Sequence, residues 1–165
     1  MSDLVYVLDT NVFVEAAKHY YAFDLVPAFW NCLITHSNDG RVKSIDRVKK
    51  EIEKGNDQLA EWAKNDFASA FCNTDDTDIH QRYGDIITWV NNNKQFSDAA
   101  KAEFARGADG WLIAYAEVNK YTVVTHERED PLIKRKVPIP NVCNAFGVSF
   151  IDTFEMLRKL GVQFT

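Results

Sequence analysis

Asp9 closes the apolar run Leu4-Val5-Tyr6-Val7-Leu8, with Thr10 and Asn11 directly behind it. Asp109 opens the stretch Ala108-Asp109-Gly110-Trp111-Leu112-Ile113-Ala114-Tyr115-Ala116, Glu127 follows Val123-Val124-Thr125, and Glu51 ends Val48-Lys49-Lys50-Glu51. Asp9 and Asp109 adjoin apolar runs and Glu127 follows one, and a charge held among apolar groups is costly. Metal-assisted phosphodiester hydrolysis is the chemistry that uses such a set. A hard divalent cation takes oxygen ligands, and Mg²⁺ keeps several waters, so few carboxylates need touch it directly. The ion lowers the pKa of a bound water and stabilises charge on phosphoryl oxygens. Bunched carboxylates repel one another and raise each other's pKa until a cation arrives, so the set is poorly explained as a stability device.

Each acid also has a plainer reading. Asp9, or Asn11, suits the N-cap of a helix that follows a strand. Glu51 reads equally as a solvated helical charge beside Lys49 and Lys50. Asp109 suits the first turn of a helix, where it complements the dipole. Glu127 reads as a surface-loop acid, with Glu129 and Asp130 close behind it.

The elements that must position these residues follow from periodicity. Leu4 to Leu8 is a continuous apolar run, the pattern of a strand buried on both faces. A helix is expected over 11–19, and a second from Ala28 to His36 with Pro27 in its first turn. Val42 to Ile45 alternates as a short strand, and Asp46 would cap a helix ending at Gly55. Further helices are expected over 58–70, 76–93, 97–106 and 108–119. Tyr121 to Thr125 is a strand, a short helical turn lies near 141–145, and Val148 to Ile151 is the last strand before a helix capped by Asp152. Strands alternating with helices predict an α/β sandwich around a mostly parallel sheet. Ligands of such sheets bind beyond the carboxyl ends of the strands, which is where Asp9, Thr125 and Glu127 fall.

The bulk numbers fit one domain spanning residues 1–165. Hydrophobic residues make up 46% of the 165-residue chain, and no apolar run approaches the roughly 20 residues of a spanning helix. Cys32, Cys72 and Cys143 are isolated and form no CxxC pair, which fits a reducing cytoplasm. A net charge of −5 excludes binding of nucleic acid through overall charge. Any such role needs a local basic track, for which Arg41, Lys43, Arg47, Lys49 and Lys50 offer one stretch and Lys134-Arg135-Lys136 another. Tyr20, Tyr21, Phe23, Phe29 and Trp30 could stack bases, although such clusters are more often core.

Taken together, Val7-Leu8-Asp9-Thr10-Asn11, Val48-Lys49-Lys50-Glu51, the Asp109 helix and Val123-Val124-Thr125-x-Glu127 resemble the PIN domain superfamily over most of the chain. Tyr20-Tyr21 with Phe29-Trp30, and Val137-Pro138-Ile139-Pro140-Asn141-Val142-Cys143, resemble a PIN-like subfamily carried as a domain of unknown function. The resemblance implies a three-layer α/β/α fold with a central, mostly parallel twisted sheet. It implies a Mg²⁺- or Mn²⁺-dependent endoribonuclease, of the toxin kind found in toxin–antitoxin pairs. Residue by residue, Asp9, Glu51 and Asp109 match the metal-binding acids and Asn11 the polar residue that supports the first. Glu127, with Thr125 before it, stands where the family usually has Asp, and Glu129 and Asp130 compete for that role. RNA substrate, a cognate antitoxin and a homodimer are the implied partners. The rivals are a PIN-like scaffold that binds RNA or protein without cutting, and a haloacid-dehalogenase-like phosphatase. The phosphatase generally carries a second acid two residues after the first, where this chain has Asn11.

Overall fold

Tyr6, Val7 and Leu8 are all buried, as consecutive apolar residues must be when both faces of a strand are covered. They form β1 (Tyr6–Leu8) in a computed structural model that describes residues 4–164. The other strands are β2 (Val42–Ile45), β3 (Phe71–Cys72), β4 (Thr122–Val124) and β5 (Phe150–Ile151). Among the described residues they make one sheet in the order β3-β2-β1-β4-β5, with every pair parallel. Tyr6 lies opposite Val42 on one side of β1, and Leu8 opposite Val124 on the other.

Nine α-helices connect and flank these strands among the described residues: α1 (Thr10–Glu15), α2 (Pro27–Asn38), α3 (Asp46–Glu53), α4 (Gln58–Asn65), α5 (Thr77–Asn92), α6 (Asp98–Arg106), α7 (Asp109–Asn119), α8 (Ile139–Phe146) and α9 (Thr153–Lys159). The chain runs outward from β1 through β2 to β3, then crosses back to β4 and β5. Parallel crossovers are right-handed, so this reversal puts α1–α4 on one face and α5–α8 on the other. Packing agrees: α3 touches α1 and α4, while α7 touches α5, α6 and α8. The expected three-layer sandwich is the observed one, and its mostly parallel sheet is parallel throughout.

Three local expectations need correction. The helix expected over 58–70 ends at Asn65, and a 3₁₀ turn (Ala68–Ala70) leads into β3, an edge strand too short to show a pattern. Asp46 is the first residue of α3 rather than its cap. Its carboxylate accepts from the Arg47 N–H at 2.8 Å and from the Thr74 hydroxyl at 2.8 Å, tying α3 to the segment after β3. The first helix gives way after Glu15 to a π-helix, Ala16–Tyr20.

The aromatic cluster belongs mainly to the core. Phe29 and Trp30 are buried; Tyr21 stacks on Phe29 with ring centroids 4.4 Å apart, and Phe23 on Trp30 at 4.0 Å. Tyr20 alone of the five is exposed. The three cysteines are free, and no helix among the described residues is long and apolar enough to cross a membrane.

Candidate active site

The order β3-β2-β1-β4-β5 reverses direction between β1 and β4. Crevices in α/β sheets open at such a switch point, beyond the carboxyl ends of the strands. Asp9 and Thr125 are the first residues past those two ends. The Asp9 N–H donates to the Val124 carbonyl at 3.0 Å, which extends the ladder one residue and fixes where the carboxylate emerges. The Thr125 hydroxyl donates to Asp9 Oδ2 at 3.2 Å and accepts the Glu127 N–H at 3.1 Å. One hydroxyl therefore couples the first acid to the fourth.

Asp9 does occupy the N-cap position of α1, and its carbonyl accepts the Val12 N–H at 3.1 Å, but its side chain makes no cap hydrogen bond, so capping does not account for the carboxylate. The residue is 1% exposed. Burial, then the nearby Glu127 and Glu51 carboxylates, push its pKa from the ordinary 3.8 to about 7; the Thr125 hydroxyl and the Thr10 N–H pull it partly back. Glu51 is delivered by α3, which packs against α1. Its Oε1 accepts the Thr10 hydroxyl at 2.6 Å. Lys49, its basic neighbour, pairs with Glu53 instead, at 3.7 Å.

Asp109 is the first residue of α7, a helix whose residues from Gly110 to Ala116 are all buried. The helix is thus pinned on every side, and its first carboxylate is held at the cleft. Asp109 accepts no hydrogen bond within the described residues. Burial, then Asp9, Glu127 and Glu51, hold its pKa well above the usual carboxylate range, with Lys136 opposing. Glu127 is no surface-loop acid: its side chain is 11% exposed. Its Oε1 accepts the Ile139 N–H at the start of α8 at 2.9 Å, and its Oε2 pairs with Lys136 Nζ at 3.2 Å.

Asp9, Glu51, Asp109 and Glu127 line one cleft of about 300 Å³, together with Thr10, Asn11, Glu103 and Lys136. Glu129 and Asp130 face a different surface depression, so Glu127 is the acid of its loop that the fold brings to the others. Asn11 is exposed and at the cleft wall rather than bonded to Asp9. Among the described residues no three acidic, histidine or cysteine side chains are drawn in to the range of a shared ion. The donors are nonetheless all oxygen, which is the set a hard divalent cation takes. The half-buried Asp109 carboxylate, which accepts no hydrogen bond among the described residues, is the acid of the set with the least support from the protein.

The family model described as a domain of unknown function, DUF4411, matches residues 6–164. The chain belongs to this family. Comparison with curated proteins finds no match. Solved structures share its architecture. The chain of "FitAB bound to IR36 DNA fragment" aligns at 19% identity with a TM-score of 0.55, over 90% of this chain and 94% of that one. FitAcB from Neisseria gonorrhoeae aligns at 18% identity and a TM-score of 0.54, over 89% and 96%. VapBC2 from Rickettsia felis, bound to a DNA fragment from their promoter, aligns at 15% identity and 0.53, over 90% and 98%. The fold of this DUF4411 chain is therefore PIN-like.

Sequence reasoning missed three polar residues of the cleft. Thr10 carries no signal beyond its place next to Asp9, yet its hydroxyl orients Glu51. Glu103 lies on the cleft-facing side of α6, and its only signal was its position six residues before Asp109. Lys136 appeared only as part of a basic run, whereas it alone of that run lines the cleft. The other basic stretch is mostly engaged elsewhere. Arg47 lies 3.7 Å over the Trp111 ring and donates to the Thr74 hydroxyl at 3.2 Å, and Lys43 lies 5.6 Å over Tyr121.

Proposed function

We propose that this DUF4411 protein is a metal-dependent endoribonuclease that hydrolyses RNA phosphodiester bonds, acting as the toxin of a toxin–antitoxin pair. The observation that carries the reading is the convergence of Asp9, Glu51, Asp109 and Glu127 on one switch-point cleft, with Asp9 and Asp109 both held above the usual carboxylate range. Charges so placed destabilise an empty site and favour a cation. The PIN resemblance and the likeness to VapBC2 and FitAB support the toxin role and a protein antitoxin as partner.

Asp9, Asp109 and Glu51 would hold Mg²⁺ or Mn²⁺, with Glu127 assisting. When bound, such an ion supplies an activated water and neutralises charge on the phosphoryl oxygens. The chain's own residues do the positioning. Thr125 fixes the Asp9 carboxylate by its hydroxyl, and Thr10 does the same for Glu51. The Ile139 N–H anchors one Glu127 oxygen and so sets how far that longer side chain reaches. Asn11, exposed at the cleft wall, is placed to meet substrate or a bound water.

The test is RNA cleavage by purified protein with Mn²⁺ or Mg²⁺, comparing wild type with Asp9→Asn and Asp109→Asn. The expected result is cleavage by wild type alone. Equal cleavage by all three would assign the activity to a contaminant. One observation favours the scaffold reading: both Glu127 oxygens already have partners. Failure to bind Mn²⁺ at millimolar concentration would decide for it.

A further inference from the structure

Lys136 is the one basic side chain among the described residues lining a cleft that five acids share. Its ammonium lies 3.2 Å from Glu127 Oε2, yet its side chain is 47% exposed. The backbone around it is pinned. Ser97 N–H, at the cap of α6, donates to the Lys134 carbonyl at 2.8 Å, and Gln95 Nε2 donates to the Ile133 carbonyl at 2.8 Å. On the other side, Val137 and Pro138 are buried. A fixed backbone that carries a half-exposed ammonium gives a charge with a defined base and a tip able to exchange partners.

We propose that Lys136 is the substrate-phosphate contact of this cleft and occupies Glu127 as a placeholder cation until a divalent ion is bound. This rests on the nuclease reading above. The ion pair is partly exposed, so it is weak enough to exchange. A divalent cation shared by the carboxylates leaves Glu127 with less need of the ammonium. Lys136 then turns its free tip to the next anion in reach, a backbone phosphate of the substrate. In a chain of net charge −5, a side-chain cation at the cleft adds to the bound ion in accepting a phosphate. Lysine suits the role because its ammonium is a compact point charge on a flexible stem.

The experiment uses the full chain, with Lys136→Met, which keeps the stem without the charge, and Lys136→Arg. Mn²⁺ affinity is measured without RNA by electron paramagnetic resonance, and KM and kcat on a short single-stranded RNA. Removal of a partly exposed competing ion pair should tighten Mn²⁺ binding by about two- to fivefold in Lys136→Met. KM should rise about tenfold or more with a smaller change in kcat, as expected for loss of a charged phosphate contact. Lys136→Arg should restore KM. Unchanged or weaker Mn²⁺ binding in Lys136→Met would overturn the placeholder role, and unchanged KM would overturn the phosphate contact. If wild type itself neither binds Mn²⁺ nor cuts RNA, the nuclease reading falls and takes this inference with it; wild-type activity with an indifferent Lys136→Met removes this inference alone.

Discussion

Asp9 states the conflict of the site in one side chain. Its folded pKa is raised from 3.8 to about 7, chiefly by burial. The folded form therefore holds a proton that the unfolded form releases. Stability from this group is fully present below 3.8 and is lost as pH rises to about 7. Asp9→Asn should then stabilise the metal-free protein at pH 8 by about 1–3 kcal/mol, seen as a Tm about 3–10 °C higher. The gain should shrink as pH falls towards 4, and the same substitution should abolish cleavage. A lower Tm at pH 8 would mean that the ionised carboxylate is better solvated than its burial implies. The second expectation at this scale concerns the ion. A cation must displace the protons that Asp9 and Asp109 retain, so binding should release protons and weaken steadily below pH 7. Mn²⁺ titrations by calorimetry at pH 6, 7 and 8 check this; pH-independent affinity would exclude these acids as ligands.

Elements decide whether such a group can be held in place. Thr125, one residue past β4, serves Asp9 and Glu127 with a single hydroxyl. Thr125→Val keeps the shape and deletes that link; it should lower Mn²⁺ affinity or cleavage about ten- to hundredfold, and wild-type values in both would remove Thr125 from the site. The α7 helix is the second support, and it is packed without slack. A Cβ on Gly110 would come within 3.0 Å of Tyr83 Cε1 and 3.1 Å of Phe104 Cε1. Gly110→Ala gains about 1 kcal/mol of helix propensity but meets an overpacking cost of about 1–3 kcal/mol, so a net loss near 1 kcal/mol is expected by chemical denaturation. A stabilised variant would show that Tyr83 can move away from the Trp111 ring it stacks on at 3.7 Å. These elements also show what was readable. β1 and β4 announce themselves as apolar runs, and α7 as an apolar helix opened by an acid, because burial on all sides leaves no other composition. β3 is two half-buried residues at an edge and carries no periodic signal. Thr10, Glu103 and Lys136 reach the cleft through tertiary packing, and their neighbours in sequence say nothing about it. Nothing in the sequence separates Glu127 from Glu129 and Asp130; the fold does, because Glu127 alone of the three lines the cleft.

The molecule as a whole carries a net charge of −5 around a cleft of acids, so it is built to repel the polymer it would cut. Basic residues do not offset this with a continuous track. Arg47 is committed to Trp111 and Thr74, Lys49 to Glu53, and Lys43 lies over Tyr121. Lys136 lines the cleft, Lys134 and Arg135 lie on the adjoining exposed loop, and Arg128 lines a neighbouring depression that shares Glu127 and Lys136 with the cleft. Four phosphate contacts from these residues predict a shallow salt dependence: the slope of log K against log[salt] should be no steeper than about −3 for single-stranded RNA, from the factor of about 0.7 per contact. Divalent ions should matter far more, because they offset the negative charge of the cleft itself. Binding of a phosphorothioate RNA oligomer, which resists hydrolysis, to the wild-type chain can be followed by fluorescence anisotropy from 50 to 300 mM NaCl, with and without Mn²⁺. Tight binding without Mn²⁺ and a slope near −5 would place the RNA on a basic surface away from the cleft. A shallow slope with strong Mn²⁺ dependence would place it over the four carboxylates, where the ion is its main electrostatic partner.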